Sequence, residues 1–202
     1  MIPALLTAAF ASLLLAAVCG ITRTTERAAA PLATLGSVLA GAAGIGLVAG
    51  SAAVTGSAGD VLGLAPLSFR YDGLSGVFLI AFGLSAGGAS LSIAGERARS
   101  RAESAAFPLF LASIVLVFGA SDAFSFLLAW ESMALLSALL VVGLRPTRAI
   151  VSAGNLYLAE THVATAAILV SFGVFAAASG GQLSFAGWHE TAAGSGFTGL
   201  TP

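Results

Sequence analysis

The chain has 202 residues, 58% of them hydrophobic and only 8% charged, with a formal net charge of −1 and a mean hydropathy of +1.01. Soluble domains are about 45–50% apolar and about 25% charged, so this composition excludes an ordinary soluble globule and indicates an integral membrane protein. No basic patch supports nucleic-acid binding, and the single cysteine, Cys19, excludes an intrachain disulfide and a cysteine-based zinc or iron–sulfur site.

Charge is absent from Ile2–Thr22, Ala28–Gly59, Gly73–Gly95 and Ser104–Ser121. Each run can hold the roughly 20 residues of a membrane helix, the last only tightly. The first run has no basic residues before it, and Arg23 and Arg27 come after it. That order predicts a retained helix with its amino end outside rather than a signal peptide. Ala16, Ala17 and Val18 ahead of Cys19 make a poor lipoprotein signal. The second helix, about Leu32–Val54, is dense in Gly, Ala and Ser. Gly46 and Gly50 there, like Gly83 and Gly87 in the third helix, have the four-residue spacing that lets helices approach closely, although Ala/Gly-rich spans produce it by chance. Thr55–Asp72, with Asp60, Pro66 and Arg70, reads as a loop.

The third helix is expected over Asp72–Ala94, followed by a solvated charged loop, GERARSRAES (Gly95–Ser104). The fourth runs about Ala105–Ala120 with Pro108 in its first turn, where the missing N–H is tolerated. A turn at Ser121–Asp122 leads to the fifth, Ala123–Gly143. A loop with Arg145, Pro146 and Arg148 precedes the sixth, Ala149 to about Ala178. The tail, Ser179–Pro202, reads as a surface segment with Trp188 and His189 near the membrane interface. Six spans place Arg23, Arg27, Arg97, Arg99, Arg101, Arg145 and Arg148 on one side and only Arg70 on the other. The positive-inside rule then puts those loops in the cytoplasm and both termini outside, in a multi-pass plasma (inner) membrane protein.

Three ionisable residues fall inside the spans: Glu131 on the fifth helix, and Glu160 and His162 on the sixth. Counted from Asp122, Glu131 lies about 13 Å deep in a hydrocarbon core about 30 Å thick. A carboxylate there costs about 2.5–3.5 kcal/mol even on the lenient insertion scale, which makes it a functional-site hypothesis. Counted from Arg148, Glu160 lies about 18 Å in and His162 about 21 Å in, so all three share one level. Glu160 and His162 point about 200° apart, so only one of them can comfortably face Glu131. A proton relay through carboxylate, imidazole and trapped water is the functional reading, and imidazole suits it because it titrates near working pH. The bland alternative is helix–helix hydrogen bonding. Asp72 and Asp122 sit at helix ends and read as solvated. A membrane haem typically needs paired axial histidines, and only His162 is at depth. No phosphate loop, nucleophile elbow or metal-ligand spacing is present. The sequence therefore predicts no bound cofactor or metal.

YDGLSGVFLIAFGL (Tyr71–Leu84), SDAFSFLLAWESMALLSALLVV (Ser121–Val142) and AGNLYLAETHVATAAILVSFGVFAAASGGQLSFAGW (Ala153–Trp188) together resemble the antiporter-like membrane subunits of the complex I superfamily. Among these the chain is most similar to the large membrane subunit of hydrogenase-4 and formate hydrogenlyase, through Trp130-Glu131 and the Tyr-Leu-x-x-Thr-His run ending at His162. The resemblance implies an all-α polytopic protein forming the N-terminal part of a fourteen-helix subunit. Residues 1–65 would be two leading helices and a loop, and 66–202 the start of the proton-translocating domain. It implies a subunit without redox activity of its own that moves protons, or alternatively sodium ions, beside the other membrane subunits of a hydrogenase or NADH dehydrogenase-type oxidoreductase. Glu131 matches the family's fifth-helix glutamate, which works with a seventh-helix lysine, and His162 the hydrogenase-type histidine. Glu160 stands where relatives usually have an apolar residue.

This chain holds six helices and no Lys. The expectation is an N-terminal fragment or a split subunit. Two rival roles are a non-conducting membrane scaffold and a stand-alone cation/proton antiporter.

Overall fold

The computed structural model describes residues 1–22, 24–50, 52–61, 65–94, 100–143 and 147–195. Arg23, Arg97, Arg99, Arg145, Pro146 and the closing segment 196–202 lie outside them. In chain order the elements are α1 (Ile2–Ile21), α2 (Glu26–Val48), β1 (Val54–Val61), β2 (Ala65–Tyr71), α3 (Gly73–Ile93), α4 (Arg101–Gly119), α5 (Ala123–Gly143), α6 (Arg148–Ala178) and α7 (Phe185–Ser195). Helices α1 to α6 are each long and apolar enough to cross a membrane. The six spans expected from the charge-free runs are therefore present.

Helix α2 packs between α1 and α3, α4 packs on α1 and α5, and α6 lies against α5 alone among the spans it contacts extensively. Leu13, Leu47, Leu79 and Val115 are fully buried, and Ala9, Ala16, Ala33, Ala40 and Ala43 fill the rest of the seams. Lipid is as apolar as leucine, so association in a membrane depends on close packing rather than on escape from water. Small residues provide that closeness. Gly44 and Gly76 face each other across α2–α3, as do Gly41 and Gly83. A Cβ on Gly44 would lie 2.6 Å from the Gly76 carbonyl oxygen. The spacing read from sequence identified only part of this seam. Gly83 belongs to it, but Gly46 packs on Ile2, Gly50 lies beyond the helix with φ of 92°, and Gly87 has only an ordinary contact with Val38.

Helix α4 begins earlier than its charge pattern suggests. Ser100 caps it: the Ser100 hydroxyl accepts from Glu103 N and the Glu103 carboxylate accepts from Ser100 N at 2.8 Å. Two otherwise unpaired N–H groups are satisfied reciprocally. Arg101–Ser104 is thus helix, not loop, and Glu103 is only 3% exposed. Pro108 consequently falls in the helix interior rather than its first turn, and it is fully buried. Gly20 of α1 packs on this stretch, where a Cβ would lie 2.5 Å from the Ser104 carbonyl.

The segment expected as a loop is an antiparallel hairpin, with Val54 opposite Tyr71, Thr55 opposite Arg70 and Ser57 opposite Ser68. Hydrogen bonds tie it to the turn between α4 and α5. Ser121 N donates to Ser68 O at 3.1 Å, and Ser68 N donates to Ser125 Oγ at 2.8 Å. On the other flank Ala123 N donates to Leu183 O and Phe185 N to Ser121 O, so α7 is held at the same end. Of the described arginines, Arg27, Arg101 and Arg148 stand at the starts of α2, α4 and α6, the opposite end, and Arg70 lies on the hairpin. Asp72 and Asp122 are half-buried helix caps rather than solvated charges. Asp72 accepts from Leu74 N and Ser75 N, and Asp122 accepts from Ser125 N and Ser125 Oγ.

Tyr71 pins the hairpin to the bundle. Its hydroxyl donates to Val115 O at 3.1 Å, and its ring occupies the space where any side chain on Gly119 would stand. Burial pushes the Tyr71 phenol well above its ordinary range. Below the unfolded-state pKa of about 10 the phenol is neutral in both states and its contribution to stability is complete. As pH rises past that value the unfolded chain ionises first, and the contribution is lost. Tyr71→Phe is expected to cost about 1 kcal/mol near neutral pH. It should also flatten the loss of stability between about pH 9 and about pH 11. Detergent unfolding of both proteins at the two pH values reads both effects.

Candidate functional site

The site lies where α5 and α6 run side by side. Ala129, Ala134 and Ala138 are buried on α5. Near the arginine end Gly154 packs on Val142, where a side chain on the glycine would collide with the valine methyl. Near the hairpin end the contact is aromatic. Phe126 stacks on Trp130 with centroids 5.8 Å apart and meets Phe172 edge-on at 5.7 Å. Trp188 and Phe185 of α7 close over Phe172 at 5.3 and 5.6 Å. Gly180 and Gly181, with φ of 72° and 90°, turn the chain back after α6 so that α7 can do this.

Between these two contacts stand Glu131 and His162, with Glu131 Oε2 3.7 Å from His162 Nε2. The other ring nitrogen, Nδ1, lies 2.7 Å from Leu158 O. A carbonyl only accepts, so Nδ1 carries a proton and Nε2 is left as the exchangeable position. The pair has two forms that differ by moving one proton: imidazolium with carboxylate, or imidazole with carboxylic acid. A separation of 3.7 Å exceeds a direct hydrogen bond and is closed by a small side-chain shift or one bridging water. Glu131 Oε1 and Trp130 Nε1 are buried with no hydrogen-bond partner among the described residues. An unmade bond of this kind costs about 1–3 kcal/mol.

The structure thus brings Glu131 and His162 together. It does not bring Glu160 to them: that side chain is exposed and makes no ion pair among the described residues. A second polar contact was not foreseen. The hydroxyls of Ser137 on α5 and Tyr157 on α6 are 2.7 Å apart. Tyr157 belongs to the Tyr-Leu-x-x-Thr-His run, but a serine six residues past Glu131 carries no sequence signal of its partner. Among the described residues no group of His, Cys, Asp or Glu is arranged to hold a metal ion. An imidazole and a carboxylate at this separation can exchange a proton.

No family model matches the chain. It is 37% identical over 132 residues to the uncharacterized proteins Rv0083 and MT0090 of two Mycobacterium tuberculosis strains, ATCC 25618 / H37Rv and CDC 1551 / Oshkosh. The match takes in 64% of this chain and 20% of either relative, so the chain spans about a fifth of their length. A solved structure, that of the membrane-bound sulfane sulfur reductase, an archaeal respiratory membrane complex, superimposes with a TM-score of 0.71. The superposition covers 89% of this chain and 28% of that one at 21% identity. The fold is similar to that of the matched part of that structure. At that identity the likeness concerns the course of the chain and not its chemistry.

Proposed function

We propose that the chain is part of an antiporter-like subunit of the complex I superfamily, of the hydrogenase-4 or formate hydrogenlyase type, and that it moves protons through Glu131 and His162. The observation that carries this reading is the carboxylate–imidazole pair at 3.7 Å with Nδ1 committed to Leu158 O. A half-exposed pair left with one exchangeable proton suits a relay better than a structural bond, which would close to hydrogen-bond distance. Electron transfer belongs to partner subunits in this reading. Residues 66–202 form the start of the translocating domain, with 1–65 as leading helices. The arginine-bearing end faces the cytoplasm of a plasma membrane, and both termini lie outside. Glu131 Oε1 is buried and unpaired among the described residues, and the family resemblance implies a seventh-helix lysine as the partner of this carboxylate. Glu160 is assigned no step. The test is proton translocation by the intact parent complex carrying Glu131→Gln.

A further inference from the structure

We infer that the hydrogen bond between Ser137 and Tyr157 is a positioning element that sets the roll of α6 and so holds His162 against Glu131. The inference rests on the proposed role of Glu131 and His162. Only Gly154 is buried on α6, so packing alone holds this helix weakly against rotation about its axis. Gly154 and Phe172 lie on one line along α6, five full turns apart at about 100° per residue. That line meets α5 at Val142 and Phe126. Tyr157 projects about 60° to one side of it and His162 about 80° to the other, with Glu160 on the Tyr157 side. Helix α5 mirrors this arrangement. Around buried Ala134, Glu131 and Ser137 project about 60° to opposite sides.

The two helices are therefore gripped on both flanks, by Ser137 with Tyr157 at 2.7 Å and by Glu131 with His162 at 3.7 Å. The shorter contact is the hydrogen bond of the two, and only the longer one exchanges a proton. A helix touched along a single line can roll; one held on both flanks cannot. If the Tyr157 contact is released, α6 is free to roll about the Gly154–Phe172 line, and even a partial roll carries the imidazole away from Glu131.

The test is cross-linking in membranes of the full-length protein carrying Cys19→Ser. Glu131→Cys is combined with either His162→Cys or Glu160→Cys, and a short bis-methanethiosulfonate reagent is applied. Because Glu131→Cys removes the other flank contact, the roll is then held by Ser137 and Tyr157. The 131–162 product should dominate over the 131–160 product, and adding Tyr157→Phe should lower that ratio about fivefold. Ser137→Ala should act alike, and Ser137→Thr, which keeps a hydroxyl, should restore the ratio. An unchanged ratio in both Tyr157→Phe and Ser137→Ala overturns the inference, even where either variant accumulates poorly. Proton translocation is measured separately: if Glu131→Gln leaves it intact, the proposed function falls, whereas the cross-link ratio still decides what positions α6.

Discussion

Glu131→Gln is expected to lower proton translocation by the intact parent complex on the order of 10²-fold while leaving its assembly and amount in the membrane unchanged. Glutamine keeps the shape of the side chain and both hydrogen-bonding atoms, so the helix seam around Ala129 and Ala134 has no reason to move. It has no acidic proton to exchange with His162 Nε2. The burial cost of a charge at this depth also disappears, so the variant should be at least as stable as the parent. Redox-driven acidification of inverted vesicles, with the complex quantified in the same membranes, separates the possibilities. A scaffold would keep translocation or lose assembly. A stand-alone antiporter would show exchange in vesicles without partner subunits, and that exchange too would fall with Glu131→Gln.

Gly44→Leu is expected to break the bundle. The glycine sits where α2 and α3 touch backbone to backbone, and a Cβ there would stand 2.6 Å from Gly76 O, 2.9 Å from Leu79 Cβ and 3.0 Å from Ile80 N. None of these is the far end of a flexible side chain, so the helices themselves must separate. Overpacking against movable side chains costs about 1–3 kcal/mol, and a clash with two backbone atoms belongs at the upper end or beyond. Gly88→Leu on the same α3 helix is the control, because nothing lies within 4 Å of a Cβ there. Thermal unfolding in detergent should show a large drop for Gly44→Leu and little change for Gly88→Leu. Equal behaviour of the two would mean that the seam does not hold the spans together.

The six spans were legible because lipid imposes a simple rule: about 20 uncharged residues between charged turns. The level of Glu131 and His162 followed from the rise of two antiparallel helices, and the choice between Glu160 and His162 was narrowed by the 100° step. Which of the two faces α5 was not legible, since the roll of α6 depends on contacts such as Ser137 with Tyr157 that join residues twenty apart. The hairpin was missed for a related reason. Val54–Tyr71 is short and rich in Gly and Ser, and its strands are stabilised by partners at Ala120 and Ser121 far along the chain. The start of α4 was misread although its signal was present. Ser100 and Glu103 have the spacing of a reciprocal cap, but their place in a run of arginines favoured a solvated loop. Glycine spacing located close-packed helices without naming their partners, because Gly41, Gly44, Gly76 and Gly83 meet only once the helices cross.

The most direct test of the central claim is a double-substitution cycle on proton translocation, comparing Glu131→Gln, His162→Gln and both together in the intact complex. Residues that pass one proton between them act as a unit, so the double variant should be no worse than the poorer single variant. Losses that multiply, or a His162→Gln protein that translocates normally, would contradict a shared proton between α5 and α6.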